Sequence, residues 1–393
     1  MIRSQNNTIC MVWHIHQPLF IPNDEVLRQI HESYRIIIQT HKSLAIPLTL
    51  NITGALLERF ASLDPKIIND INELVQNNLL ELTGTGYYHP MLPLLSESDA
   101  VAHIKKDKQL KKRIFSRAQL SGFWPTDLGW APWLVPLLNE QKFQWVIVDS
   151  TSLTQANALP EWQEIRVGGH TVLSPQIESI TFDDEVSTPY EMLLSDKKII
   201  ILVRNRDLSL TLSDHNKGII YQEHLAEQFA DEVAQKTTKN GILILAEDGE
   251  RINTQTARGY QRILTALQKT STITFSTPSK YLQKKPQLQH KYFPASTFQY
   301  DMAAWTQTMD DQAYLLYLNR AETTIRTLEL SLGNNNNKKA RAQLSKARES
   351  LLKAQDSGAL FWKFHQRTRS PSWQYARDAL HHAESGFSLM AKS

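Results

Sequence analysis

Short apolar runs alternate with amphipathic stretches up to about residue 280. The runs Ile9–Trp13, Pro47–Ile52, Leu79–Leu82, Leu120–Phe123, Trp145–Val148, Lys198–Val203 and Ile242–Leu245 predict strands. Between most of them, stretches such as Glu25–Thr40, Pro65–Gln76, Asp99–Arg117, Tyr221–Gln235 and Ala257–Lys269 carry helical spacing. Strands alternating with helices argue for parallel βαβ units, and this series predicts an α/β barrel, complete or one unit short. The segment Glu164–Pro189 breaks the rhythm and reads as an inserted hairpin and loop.

After Lys284-Lys-Pro286 the pattern changes. From about Thr297 to Ser393 it is helical, interrupted at Gly333-Asn-Asn-Asn-Asn337 and Arg369-Ser-Pro371. The expected organisation is a barrel domain over residues 1–285 and a helical domain over 286–393, a bundle of three or more helices packed on the barrel. A length of 393 residues fits one large unit and one smaller one.

Composition narrows the class. A formal charge of +3 over this length gives no reason to expect nucleic acid as a partner. The single cysteine, Cys10, excludes an internal disulfide and fits a reducing compartment. The N-terminus lacks an apolar signal core, and no run reaches the roughly 18 apolar residues of a membrane span. The expectation is a soluble, cytoplasmic protein without a membrane partner; oligomeric state is not legible.

In α/β barrels, chemistry collects where strands end at the C-terminal face. Four segments fall there. Gly122-Phe-Trp-Pro-Thr-Asp-Leu-Gly-Trp130 sets Asp127 between Trp124 and Trp130: a carboxyl group beside flat apolar faces, as cleavage of a sugar chain requires. His14-Ile-His16-Gln17-Pro18 ends strand one, with the two histidines expected on opposite sides unless the chain has turned. His-x-His there is also a metal signature of amidohydrolases, but strands five and six end in Asp149-Ser150 and Arg204-Asn205 rather than the lysine and histidines that chemistry needs. No metal and no cofactor are therefore expected, and hydrogen bonding to sugar hydroxyls is the better reading. Strand three runs into Thr83-Gly-Thr-Gly-Tyr87-Tyr88-His89-Pro90, a polar-aromatic wall without the Lys-Ser/Thr of a phosphate loop. Strand seven ends in Ala246-Glu247-Asp248-Gly249-Glu250, where crowded carboxyls raise one pKa, as a general acid requires. Thr181-Phe-Asp-Asp184 is similar to a deacetylase aspartate pair but sits in the wrong place, and reads as loop chemistry.

Taken in order, these segments resemble glycoside hydrolase family 57, which includes retaining α-amylases and glucan-transferring enzymes. His16-Gln17-Pro18 matches its first motif, Tyr87-Tyr-His-Pro-Met-Leu-Pro-Leu-Leu95 its second, and Asp248-Gly249-Glu250 its fourth. The third, Trp-Pro-Ser-Glu in the family, reads Trp124-Pro125-Thr126-Asp127 here. The fifth reads Ala354-Gln355-Asp356-Ser357-Gly358, with Gly358 where the family has aspartate and Asp356 as the nearest carboxyl. The resemblance implies a (β/α)7 barrel with a helical bundle, acting on an α-glucan or maltooligosaccharide. It implies Asp127 as nucleophile in place of glutamate and Asp248 as general acid/base. His14, His16 and His89, with Tyr88, would surround the sugar. Trp124, Trp130, Trp305 and Trp362 would offer stacking faces, and Arg204 would orient a carboxylate. Hydrolysis, transfer and branching stay open, as does a glycan-binding homologue that has lost turnover, because two chemistry-bearing positions depart from the family's pattern.

Overall fold

The computed structural model describes residues 7–157, 162–167, 170–175, 183–214, 217–237, 240–361 and 366–391. Seven parallel strands form the barrel: β1 (Asn7–Ile15), β2 (Leu48–Ile52), β3 (Leu80–Leu82), β4 (Gly122–Phe123), β5 (Trp145–Asp149), β6 (Lys197–Arg204) and β7 (Ile242–Asp248). Each coincides with one of the apolar runs. β1 from Thr8 onward and all of β2 to β5 are buried, which is why they read as near-continuous apolar runs rather than alternating ones.

The ring closes in chain order. β1 pairs with β2, β2 with β3, β4 with β5, β5 with β6, and β7 returns to β1 over Thr8↔Ile242 to His14↔Asp248. Two contacts are single: Gly84↔Phe123 joins the end of β3 to β4, and Ile244↔Arg204 joins β7 to β6. Two extra strands fill the splayed lower edges: Ile273–Phe275 along the start of β1, and the antiparallel Tyr190–Leu194 along the start of β6. The inserted segment contains the expected hairpin, Trp162–Val167 against His170–Pro175. In the short β4, Gly122 lies against the Trp145 ring, where a Cβ would stand 2.0 Å from an indole carbon. Only glycine permits that approach.

Three packed layers result. An inner cluster, including Cys10, Val12, Trp145, Ile147, Leu202 and Ile244, fills the barrel. A larger one lies between the strands and the surrounding helices. The third is the core of the C-terminal helices Met309–Leu332, Lys338–Ala354 and Gln366–Ala391. The first of these starts at a reciprocal cap between Thr308 and Asp311, and Asn337 caps the second. Small residues at the contact, Ala340, Ala347, Ala376, Ala379 and Ala383, let the second and third helices pack closely.

The bundle is bolted to the barrel by buried polar contacts. Gln355 joins His103 Nε2 (3.0 Å) to Asp99, Tyr88 donates its hydroxyl to Glu349, and the Ser357 N–H donates to the His89 carbonyl (2.9 Å). Among the described residues, no helix is long and apolar enough to cross a membrane.

Candidate active site at the C-terminal ends of the barrel strands

Side chains two apart on a strand share a face. In β1, Ile9, Met11, Trp13 and Ile15 pack outward, while Cys10 and Val12 fill the barrel. The inward series continues to His14. In β5 it runs Trp145, Ile147, then Asp149; in β6, Leu202, then Arg204; in β7, Ile242, Ile244, Ala246, then Asp248. Asn51 and Thr83 follow the same parity in the β2 and β3 segments, whose leucines face outward. The apolar stack that fills the barrel thus ends in a polar layer. This parity also corrects one expectation: His14 and His16 lie on the same side, and both rings meet His89.

A cavity of about 290 Å³ opens above this layer, lined by His14, Trp124, Asp127, Arg204, Glu247, Asp248 and Phe298 among others. Asp127 reaches it from a turn in which Asp127 and Leu128 both take left-handed backbone (φ 52° and 49°). Leu128 N–H bonds Pro125 O (3.0 Å), Gly129 N–H bonds Thr126 O (2.8 Å), and Phe298 N–H reaches Asp127 O (3.3 Å). Non-glycine residues in this region cost on the order of 1–3 kcal/mol each and cluster at functional sites. Asp127 opens on the cavity yet lies deep in the protein, and burial pushes its pKa up to about 7. The Ser357 hydroxyl draws it back down, Asp248 raises it, and the Trp305 indole lowers it. Trp305 Nε1 exerts that pull without meeting hydrogen-bond geometry, and Asp127 Oδ2 is likewise unpartnered. His16 Nε2, Trp124 Nε1 and Thr126 Oγ1 add to this group of unsatisfied polar atoms. Such atoms are rare in protein interiors.

The histidines form an ordered set. His14 Nδ1 bonds Asn51 Oδ1 (2.6 Å), and Asn51 Nδ2 donates to Thr83 Oγ1 (2.8 Å). His14 Nε2 and His89 Nε2 are 3.1 Å apart. Their rings are nearly coplanar (20°) with centroids 5.0 Å apart, an edge-to-edge N–H···N bond. His89 Nδ1 bonds Ser357 Oγ (3.1 Å), and His16 Nδ1 bonds Thr53 Oγ1 (3.1 Å). Burial lowers the pKa of all three imidazoles; for His14, Asp248 opposes that shift.

The acidic triplet Glu247, Asp248 and Glu250 at the end of β7 separates into three roles. Arg204 bonds Asp149 (2.7 Å), Glu247 and the Ala246 carbonyl (2.7 Å). Burial opposes its charge, but Asp149 and Glu247 outweigh burial and hold its pKa above the usual value. Glu250 accepts from Tyr34 and from Gln17 (2.9 Å), and burial raises its pKa to about 7. Asp248, exposed at the strand end, lines the cavity beside Glu247, whose carboxylate is taken by Arg204.

Several aromatic expectations are corrected. Trp130 is fully buried, its indole N–H spent on Phe293 O (3.1 Å), so it anchors the core and offers no face. Trp305 is also fully buried, with Phe361 stacked on it (5.1 Å, 28°); its N–H edge, not its face, is turned to Asp127. Tyr88 is tied to the bundle by Glu349. Arg204 is ion-paired with Asp149 and Glu247 and lines the cavity. Trp124 does line the cavity, as does Phe298. Trp362 and the Thr181-Phe182 part of the loop lie outside the described residues. Asn51, Thr53 and Ser357 had no role in the sequence reading; period-two counting from Leu48 and Leu50 would have found Asn51.

His16, His89 and Asp356 bring potential metal-ligand atoms within 4.8 Å of one another. The His16 and His89 rings, however, are stacked face to face (3.9 Å, 9°). A ligated ion lies in the plane of each imidazole at about 2.0–2.1 Å. Two parallel planes share no such point, so these rings do not converge on an ion as arranged.

The family model described as glycosyl hydrolase family 57 matches residues 10–295. An α-amylase of Pyrococcus horikoshii is 29% identical over 149 residues, 38% of this chain and 23% of that protein. A 4-α-glucanotransferase of Thermococcus litoralis is 23% identical over 305 residues, 75% of this chain and 41% of its own length. The chain therefore spans less than half of either relative. The crystal structure of a Thermococcus litoralis 4-α-glucanotransferase superposes with a TM-score of 0.73 at 16% identity, covering 95% of this chain and 60% of that one. That of a family 57 branching enzyme from Thermococcus kodakaraensis, in complex with glucose, gives 0.71 at 15% identity, covering 98% and 90%. These likenesses establish the (β/α)7 barrel fold.

Proposed function

The chain belongs to glycosyl hydrolase family 57, and from that premise we propose that it cleaves or transfers α-glucan chains with retention of configuration. Asp127 attacks the anomeric carbon and Asp248 protonates the leaving oxygen, then activates the incoming water or sugar hydroxyl. The carrying observation is that these two carboxyl groups line one cavity together with the Trp124 indole and the His14 imidazole. Trp124 supplies the flat face for a sugar ring, and His14, His16 and His89 hold its hydroxyls. The Arg204 clamp on Asp149 and Glu247 fixes the tops of β5, β6 and β7 behind Asp248. Incubation with maltoheptaose, with chromatographic and anomeric analysis of products, tests this reading. Turnover in wild type, lost in Asp127→Ala and in Asp248→Asn, supports it; equal rates in wild type and Asp127→Ala overturn the nucleophile assignment.

One observation favours a second reading, glycan binding without turnover. Asp127 is one methylene shorter than glutamate and has its pKa raised to about 7, so near neutrality much of it is protonated and non-nucleophilic. Maltoheptaose affinity with no products from any of the three proteins identifies that case.

A further inference from the structure

The helical stretch 23–44 contains one π turn, Ile30–Tyr34, between the α-helical Asn23–Gln29 and Arg35–Leu44. Such turns are rare inside α-helices and recur at functional sites. Here the turn coincides with a change in which residues are buried. Before it there is a single row, Val26 and Ile30; from it onward there are two, Ser33 with Ile37 and His41 beside Tyr34 with Ile38. Ser33 opens the second row, so two adjacent hydroxyl groups turn inward together.

Both end on the turn that follows Asp248. Ser33 Oγ donates to Gly249 O (2.8 Å), and the Tyr34 hydroxyl donates to Glu250 Oε1. Gln17, just past β1, donates through Nε2 to Tyr34 Oη (2.9 Å) and to Glu250 Oε1 (2.9 Å), which closes a triangle. Ser33 and Tyr34 are buried, the tyrosine ring against Phe60 (5.6 Å). Gly249 is pressed onto the same surface: a Cβ there would stand 3.0 Å from Ile15 Cγ1 and 3.4 Å from His14 O and Ile37 Cδ1.

Asp248 is thus held from both sides. Register with His14 fixes it at the end of β7, and the clamp fixes the two residues that follow. Among the described residues, nothing hydrogen-bonds or ion-pairs with the Asp248 carboxyl itself, so its direction follows from the backbone at 248–250. We propose that Tyr34, together with Ser33 and Gln17, is a positioning residue for Asp248, and that the π turn exists to present this clamp. The proposal rests on Asp248 as the acid/base of the reading above. None of the three clamp residues lines the cavity, so loosening the clamp acts on the chemical step and leaves sugar binding in place.

The test compares the full chain as wild type, Tyr34→Phe, Ser33→Ala and the double variant, by kinetics on maltoheptaose and by crystal structures. Tyr34→Phe keeps the buried ring and removes one donor to Glu250; Ser33→Ala removes the donor to Gly249 O and carries the same test if the first variant fails to fold. The expected result is kcat about tenfold lower in each single variant and on the order of 100-fold lower in the double, the scale of a misplacement by about 1 Å. KM is expected to stay within about twofold, and the Asp248 carboxyl to be displaced in the variant structures. An Asp248 carboxyl that keeps its wild-type place in the variants overturns the proposal, as does a loss of activity carried by KM alone. The crystallographic readout needs no turnover. Displacement in a protein that forms no glucan products retains the clamp and rejects the enzymatic reading, whereas wild-type products with Asp248 unmoved in the variants do the reverse.

Discussion

The rings of Trp124 and His14 lie parallel, 8° apart in plane with centroids separated by 5.5 Å, and both border the cavity that holds Asp127 and Asp248. The imidazole on one side orients the indole, and the rest of the indole borders the cavity.

Trp124→Ala is expected to weaken maltoheptaose binding by roughly 1–2 kcal/mol, the scale of an aromatic contact. Trp130→Ala is expected to cost about 3–5 kcal/mol of stability instead, because that indole is wholly in the core. Titration calorimetry on the first and urea unfolding on the second check the division.

Asp127→Glu restores the reach of the family's nucleophile. Misplacement by about 1 Å costs on the order of 100-fold in rate, so turnover of maltooligosaccharides is expected to rise by up to about that factor. Product chromatography measures it. Binding without turnover in both forms points to the glycan-binding reading.

Stability should fall as pH rises from about 4 to 7. Asp127 and Asp356 have pKa values of about 7 against an ordinary 3.8, both raised chiefly by burial. Across that window the unfolded chain has released protons that the folded protein still holds, so stability present at low pH is lost as pH climbs through 7. Asp356→Asn removes one such group and is expected to gain about 1–3 kcal/mol at pH near 8 and nothing near pH 4. Urea midpoints at the two pH values decide it.

Gln355 bridges His103 and Asp99 in a buried setting. Gln355→Leu leaves both without that partner and is expected to cost about 2–4 kcal/mol. Truncation near residue 290 exposes the apolar surface that meets the bundle, and the fragment is expected to aggregate. Unfolding curves and size-exclusion chromatography test these.

All seven barrel strands were legible in the sequence because parallel strands buried on both faces need uninterrupted apolar runs. The carboxyl groups Asp127 and Asp248 were legible because their motifs are short and local. Contacts made across the chain were not: Ser357 meets His89 268 positions away, and Tyr88 meets Glu349 261 positions away. Trp130 and Trp305 read as sugar platforms since sequence shows an aromatic ring but not what covers it. The mistaken opposite placement of His14 and His16 came from misapplying the strand period, which the apolar partners of β1 already fixed.

The hydrogen-bond partner of His89 is carried by Ser357, beyond every strand of the barrel in chain order. During synthesis on the ribosome, strands β1 to β7 emerge with Asp127 and Asp248 already in place in the chain, but the groove cannot be finished until the later helices have cleared the exit tunnel and docked. A nascent chain stalled before that point carries both acidic residues and an incomplete site. Completion of the site is thereby deferred until translation has passed Ser357.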